Sequence, residues 1–588
     1  MGRLFSKYFI PLSCGISLFL PTNQLQAASC TAYDPLVFGP DKPPKAKLVR
    51  GHKGMVVTAQ HLASEVGAKI LREGGNAADA AVAVGYAMAV VYPAAASLGG
   101  GGFATIYDPR SAKGKASFVD YRERAPLKAT ENMYLDAQGN PSKTDSKVGW
   151  KAVATPGVVA GLEEIRQKWG TLSREKLIAP AIALAQDGFV LEQGDIDLLN
   201  TSQPFFRKSK ESIGVFTTLE GMDLKVGDRL RQPQLAQTLR KISHHGKDGF
   251  YKGSVAKEIV KESQKSGGIL SEQDLSAYKV RQFKPLQCAY RGYEIYTAPL
   301  PSAGGVALCE ILGVLEHYNL KEMGLQSEES VQVQIEAMRR AYWDRRLLGD
   351  GVSPEIINHF LDPAYQMQIA DHLPKKAPKN TAHLEDPFSE KHETTHYSII
   401  DRNGMAVSIT CTLDGWFGAG VLAGKTGIWM NDEMDDFSLK AGAPNMFGIP
   451  GAKANAIAPG KTPLSSMSPT IVTRSQGDVF MVTGSPGGSR IPTITLSVLT
   501  GVLDGRMNVA KAVKHSRFHE QWAPSVVEVE PKAIPTSVQH VLEKKGYHFV
   551  TRHPWGMAGS ITVQKKKDSL IVSGAADPRR FGGSAVAE

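Results

Sequence analysis

Cysteine is scarce in this chain, long apolar runs are missing, and no stretch is densely basic. Five cysteines in 588 residues, none at metal-ligand spacing, exclude a disulfide-built scaffold and a cysteine zinc site. Beyond residue 27 no window approaches ~18 uninterrupted apolar residues, which excludes a spanning helix and implies no membrane anchor. The formal charge of +10 is scattered along the chain. Without a basic block interleaved with aromatics, a nucleic-acid role has no footing, and the charge describes a solvated surface with a mild preference for anionic ligands. No internal repeat is visible. The glycine run 99–102 is not followed by Gly-Lys-Ser/Thr, which excludes a phosphate loop and leaves close backbone packing as its use.

What is present is an ordinary globular composition, 42% hydrophobic and 21% charged, in a chain too long for one small domain. Arg3 and Lys7 precede an apolar stretch at 8–20, and Leu25-Gln26-Ala27 supplies small-residue cleavage chemistry, so residues 1–27 read as an export signal. Cys14 falls inside it. Of Cys30, Cys288, Cys309 and Cys411, Cys288 and Cys309 could pair in an oxidising compartment, which sequence alone does not decide. Helical periodicity marks 61–91 (split at Gly74-Gly75, with Asn76 as cap), 158–169, 173–186, 305–317, 329–348, 493–503, 509–522 and 538–545. Strand patterns mark 103–107, 395–401, 406–413, 470–474 and 479–483. Helices, then clustered strands, then helices imply sheet layers enclosed by helices, an α+β arrangement.

The segment Glu393-Thr394-Thr395-His396-Tyr397-Ser398-Ile399-Ile400 carries the chemistry. A hydroxyl residue opens a strand-like run directly after a Pro- and Lys-rich stretch. Cleavage between Glu393 and Thr394 would give Thr394 both a nucleophilic hydroxyl and a free α-amine, of pKa near ~8, to take its proton. The letters His392-Glu393-Thr394-Thr395-His396 also fit the zinc-peptidase pattern H-E-x-x-H. That reading needs a helix, whereas the β-branched and aromatic composition favours an extended chain, and Ile399 stands where the longer metalloprotease signature has glycine. His396 reads as a structural histidine. Three possibilities stand side by side on the residues alone: an N-terminal-threonine hydrolase, a zinc peptidase through His392 and His396, and a chain that fails to mature and serves as a secreted binding protein.

Four blocks give the chain a family likeness: Thr394-Thr395-His396-Tyr397-Ser398, Asn431-Asp432-Glu433-Met434-Asp435-Asp436-Phe437, Pro463-Leu464-Ser465-Ser466-Met467-Ser468-Pro469-Thr470, and Thr483-Gly484-Ser485-Pro486-Gly487-Gly488-Ser489-Arg490. Through them nearly the whole mature chain resembles the bacterial gamma-glutamyltransferases (gamma-glutamyltranspeptidases) of the N-terminal nucleophile hydrolase superfamily. The resemblance implies a four-layer αββα sandwich formed jointly by two autoproteolytic fragments, 28–393 and 394–588, exported to the periplasm or secreted. It implies a cofactor- and metal-free enzyme that cleaves a γ-glutamyl donor such as glutathione and passes the acyl group to water or to an amino acid or peptide.

In that likeness Thr394 is the nucleophile and Thr412 its supporting threonine. Gly487 and Gly488 supply oxyanion NH groups. Arg122, rather than Arg124, grips the donor's α-carboxylate together with Ser465 and Ser466, while Glu433 and Asp436 face the ammonium. Asp414 stands where many relatives carry asparagine, and the extra carboxylate there could strengthen ammonium binding or change donor preference. Retention of Asp436 argues against an acylase for glutaryl side chains, which lack the ammonium. The stretch 439–451 resembles a lid loop, in which Phe447 occupies a position often held by tyrosine.

Overall fold

Two seven-stranded antiparallel sheets form the centre of the computed structural model, which describes residues 46–112, 115–207, 210–217, 221–378, 392–445, 448, 450–566, 569–580 and 582–588. One sheet runs Ser584–Ala587, Met55–Thr58, His392–Ile400, Ala406–Gly415, Gly101–Tyr107, Ala116–Asp120, Arg281–Phe283. The other runs Val49–Gly51, Ser569–Ala576, Gly559–Lys566, Val479–Thr483, Thr470–Arg474, Tyr293–Thr297, Leu286–Tyr290. A small sheet pairs Phe518–His519, Val527–Val529 and Phe549–Thr551.

The period-2 alternation of a strand decides which side chains enter which layer. From the strand His392–Ile400, Tyr397 and Ile399 enter a core shared with the helices Ala77–Val91 and Val158–Trp169. Ile400 instead joins Met55, Val57, Ile471, Val482 and Ile561 in the apolar layer between the sheets. A third core packs the second sheet against the helices Ala303–Leu315, Glu328–Asp344 and Ile491–Leu503. Helices, sheet, sheet and helices therefore stack as αββα. The helix Ala77–Val91 can be buried along its whole length because alanine dominates it, and the Asn76–Asp79 capping box satisfies its first amides.

Most elements lie where the periodicity places them. The segment 509–522 does not form one helix. The helix Val509–Lys514 ends early because Arg517 is drawn inward, donating to Asp577 Oδ2 at 2.5 Å and to the Trp555 carbonyl, and the chain then continues as the strand Phe518–His519. Cys288 and Cys309 are disulfide-bonded, tying the edge strand Leu286–Tyr290 to the helix Ala303–Leu315, while Cys411 is a buried free thiol. No helix among the described residues is long and apolar enough to cross a membrane. The proposed signal, residues 1–27, lies outside the described residues.

Candidate active site

Thr394 sits in the strand His392–Ile400 opposite Thr412 of the strand Ala406–Gly415, and the pairing register shifts between His392 and Thr394. The extra residue lies on the partner strand, where Leu413 and Asp414 together oppose Glu393, so the bulge faces the residue directly before Thr394. Thr394 is 6% exposed. Its Oγ1 lies 3.3 Å from Thr412 Oγ1, which accepts from the Asp414 backbone NH at 2.8 Å. The neighbouring strand approaches so closely that a Cβ on Gly100 would fall 2.1 Å from the Thr412 carbonyl oxygen, so only glycine fits there.

On the same face, two residues along, the His396 ring is held between Thr410 Oγ1 at 2.9 Å and Ser398 Oγ at 3.0 Å. Burial lowers its pKa to about 3, keeping it neutral. Both ring nitrogens are engaged by hydroxyls, and the segment is a strand, in which positions i and i+4 are some ~13 Å apart. The zinc-peptidase reading is overturned on both counts. The His392 side chain is outside the described residues.

Past Thr412 the chain turns, with Asp414 at φ +78°, a conformation that non-glycine residues seldom adopt. There Asp414, Glu433 and Asp436 each bring a carboxylate oxygen within 4.8 Å of the others. Arg122, carried past the end of the strand Ala116–Asp120, bridges two of them, with Nη1 2.5 Å from Glu433 Oε1 and Nη2 2.5 Å from Asp436 Oδ2, while Nε donates to the Pro463 carbonyl at 3.0 Å. Asn431 holds the 3₁₀ turn Glu433–Asp436 in place: its Oδ1 accepts from the NH groups of Ala154 and Glu433, and its Nδ2 donates to the Gly99 carbonyl at 2.7 Å.

The electrostatics follow from burial of several like charges. Burial raises Glu433 to about 7, against the pull of Arg122. Burial, and then the charges of Asp436 and Glu433, hold Asp414 well above the usual carboxylate range. Glu123 is likewise raised by burial and then by Glu433. Asp436 is raised by burial, opposed by Arg122 and then by Arg345. Burial pulls Arg122 down, but Glu433 and Asp436 more than compensate and its pKa rises.

Ser465 and Ser466 lie beyond Pro463. Ser465 Oγ accepts from the Met467 NH at 3.1 Å, and Ser466 Oγ accepts from Arg345 Nη2 at 3.1 Å. Gly487, at φ +140°, and Gly488, at φ +56°, form a turn that packs against the strand His392–Ile400. Neither of their amides donates to another group among the described residues. Tyr342 fastens this turn by donating to the Ser489 carbonyl, and Ser489 Oγ donates to Gln521 Oε1 at 2.7 Å. Arg124 points elsewhere, its Nη2 to the Lys279 carbonyl and its guanidinium over the Tyr278 ring. The loop 439–451 is closed by paired bonds between Gly442, Ala443 and Gly451; Phe447 within it lies outside the described residues.

The fold thus links Thr394 to Thr412, gathers Asp414, Glu433 and Asp436 around Arg122, and sets the Gly487–Gly488 turn against the strand of Thr394. Sequence reasoning missed Arg345 and Tyr342. They stand in the segment 329–348, which its periodicity marks only as helical.

Comparison with known proteins gives one consistent family. The gamma-glutamyltranspeptidase family profile matches residues 63–587. A glutathione hydrolase proenzyme of Pseudomonas sp. (strain A14) is 49% identical over 553 residues, 92% of this chain and 95% of that one. One of Escherichia coli (strain K12) is 42% identical over 540 residues, 90% of this chain and 91% of that one. Among solved structures, cephalosporin acylase from Bacillus halodurans superposes with a TM-score of 0.79 at 25% identity, covering 94% of this chain and 99% of that one. The gamma-glutamyltranspeptidase of Helicobacter pylori gives 0.53 at 40% identity, covering 57% of this chain and 94% of that one.

Proposed function

The chain belongs to the gamma-glutamyltranspeptidase family, and we propose that it is a self-processing γ-glutamyl hydrolase and transferase whose nucleophile is Thr394. The single observation that carries this reading is the Thr394–Thr412 hydroxyl pair, set at a bulge beside a buried cluster of three acids and an arginine.

Maturation begins with attack of Thr394 Oγ1 on the Glu393 carbonyl carbon. The peptide C–N bond breaks as a C–O ester forms, and the released nitrogen takes the hydroxyl proton. Water then opens the ester, leaving a carboxylate at Glu393 and a free amine on Thr394. After loss of residues 1–27, the products are a large fragment, 28–393, and a small one, 394–588. Export of the precursor fits the Cys288–Cys309 bridge, since such bonds persist in oxidising compartments.

The matured enzyme cleaves the γ-glutamyl bond of glutathione and related donors. The Thr394 amine takes the hydroxyl proton as Oγ1 attacks the γ-carbonyl. The Gly487 and Gly488 amides, which have no other acceptor among the described residues, stabilise the oxyanion. Collapse breaks the C–N bond, the departing amine takes the proton, and water or the amine of an amino acid or peptide then opens the acyl-enzyme. The donor's ammonium exchanges into the Asp436, Glu433 and Asp414 cluster, and its α-carboxylate lies toward Ser465, Ser466 and Arg122. Three buried acids facing one cation suit a γ-glutamyl group and not a glutaryl group.

Substitution at the nucleophile tests this. Thr394→Ala is expected to remain one chain and to release nothing from a γ-glutamyl anilide, whereas Thr394→Ser still matures and turns over more slowly. Turnover by an uncut Thr394→Ala chain would overturn the proposal.

A further inference from the structure

Several buried or partly buried arginines among the described residues are matched to acids. Arg122 has Glu433 and Asp436, Arg281 has Asp120 and Asp350, Arg339 has Glu336 and Glu520, and Arg517 has Asp577. Arg345 is different. It is 8% exposed, yet no carboxylate among the described residues lies within ion-pair distance, and its one side-chain hydrogen bond is to Ser466 Oγ at 3.1 Å. A guanidinium carries five donors and stays charged, so an unpaired one that is nearly out of water is costly unless an anion completes it.

The place of Arg345 indicates which anion. It follows the helix Glu328–Asp344 and lines a small cavity with Asp436, Asn455 and Leu464, at the edge where Ser466 stands. Arg122, the other arginine of the site, already spends Nη1 on Glu433, Nη2 on Asp436 and Nε on a carbonyl. Ser466 Oγ accepts from Arg345 and Ser465 Oγ from an amide, so both hydroxyls keep their hydrogens for a further acceptor. Two hydroxyl donors beside one unpaired fork suit a carboxylate.

We propose that Arg345 is a specificity-determining residue for the donor's α-carboxylate, holding Ser466 as a donor and supplying the positive charge that Arg122 shares with Glu433 and Asp436. The inference rests on the reading that Ser465 and Ser466 face that carboxylate. Neutral or decarboxylated γ-acyl donors are then discriminated chiefly by the Arg345 edge of the pocket and not by the acid cluster.

The test compares kcat/KM for L-γ-glutamyl-p-nitroanilide with that for its α-carboxamide analogue in the matured wild type, Arg345→Gln, Arg345→Lys and the double variant Ser465→Ala/Ser466→Ala. Maturation is followed by intact mass. Arg345→Gln is expected to reduce the preference for the carboxylate donor by roughly 10-fold, the size of one charged hydrogen bond, with the loss mainly in KM. Arg345→Lys, which keeps the charge without the fork, restores part of it. If the serine variant loses the preference and both Arg345 variants keep it, the proposal is overturned while the placement of the carboxylate stands. If no variant changes the preference, the placement itself fails. Should Arg345→Gln not mature, Arg345→Lys decides: an unchanged preference overturns the proposal, and an intermediate one supports it.

Discussion

Asp414 concentrates the site's conflict between stability and recognition. It is buried at positive φ, its Oδ2 accepts no hydrogen bond among the described residues, and Asp436 and Glu433 face it. Its carboxyl is raised, so the conflict is absent where the group is protonated in both states and grows as pH rises. Asp414→Asn, which also suits the positive φ, is expected to stabilise the protein by more than ~1 kcal/mol at pH 8. The gain should shrink toward zero near pH 4, and KM for the γ-glutamyl donor should rise. Denaturant unfolding at the two pH values checks it, and an equal difference at both would contradict it. His519 works in the opposite sense. Bonded to Thr493 and Gln521 and lowered by burial to about 3 from 6.5, it stabilises the fold above pH 6.5 and loses that contribution as pH falls toward 3. Replacing it by glutamine should flatten the acid side of the stability profile by up to ~1.4 kcal/mol per pH unit, and a parallel profile would refute this. At this scale the motif residues Thr394, Arg122, Glu433, Asp436, Ser465 and Ser466 were legible in the sequence. Arg345 was not, because only the fold turns it and Arg339 inward from an arginine-rich run.

Among the elements, the nucleophile strand was the most readable, since β-branched and aromatic residues run from Thr394 to Ile400 and exclude the helix that zinc would need. Short strands such as Val49–Gly51 and Arg281–Phe283 carry too few residues to show a period, and pairing across the chain defines them. The helix expected over 509–522 was cut short by a tertiary demand, burial of Arg517 against Asp577. In the proposed mechanism the turn at Gly487 and Gly488 carries the oxyanion donors. A Cβ on Gly487 would lie 2.7 Å from Ile494 Cδ1, at a φ that alanine resists. Gly487→Ala should therefore displace the oxyanion donors and lower kcat by about 10²-fold or more. Stopped-flow measurement of acylation on the matured variant tests this, and an unchanged rate would remove the turn from the mechanism.

At the scale of the whole molecule, the layering was foreseen from the grouping of helices and strands and from the family likeness, and the two facing antiparallel sheets bear it out. The strand order was not legible, because neighbours such as Ser584–Ala587 and Met55–Thr58 are separated by almost the entire chain. That interleaving gives self-cleavage its logic. Segments on both sides of residue 394 share each sheet, so the two fragments of the proposed cleavage between Glu393 and Thr394 would remain one structure. The most direct measurement is the intact mass and N-terminal sequence of the purified, active protein. Two associated fragments are expected, the smaller beginning at Thr394 with a free amine. Full activity from a single uncleaved polypeptide would contradict it.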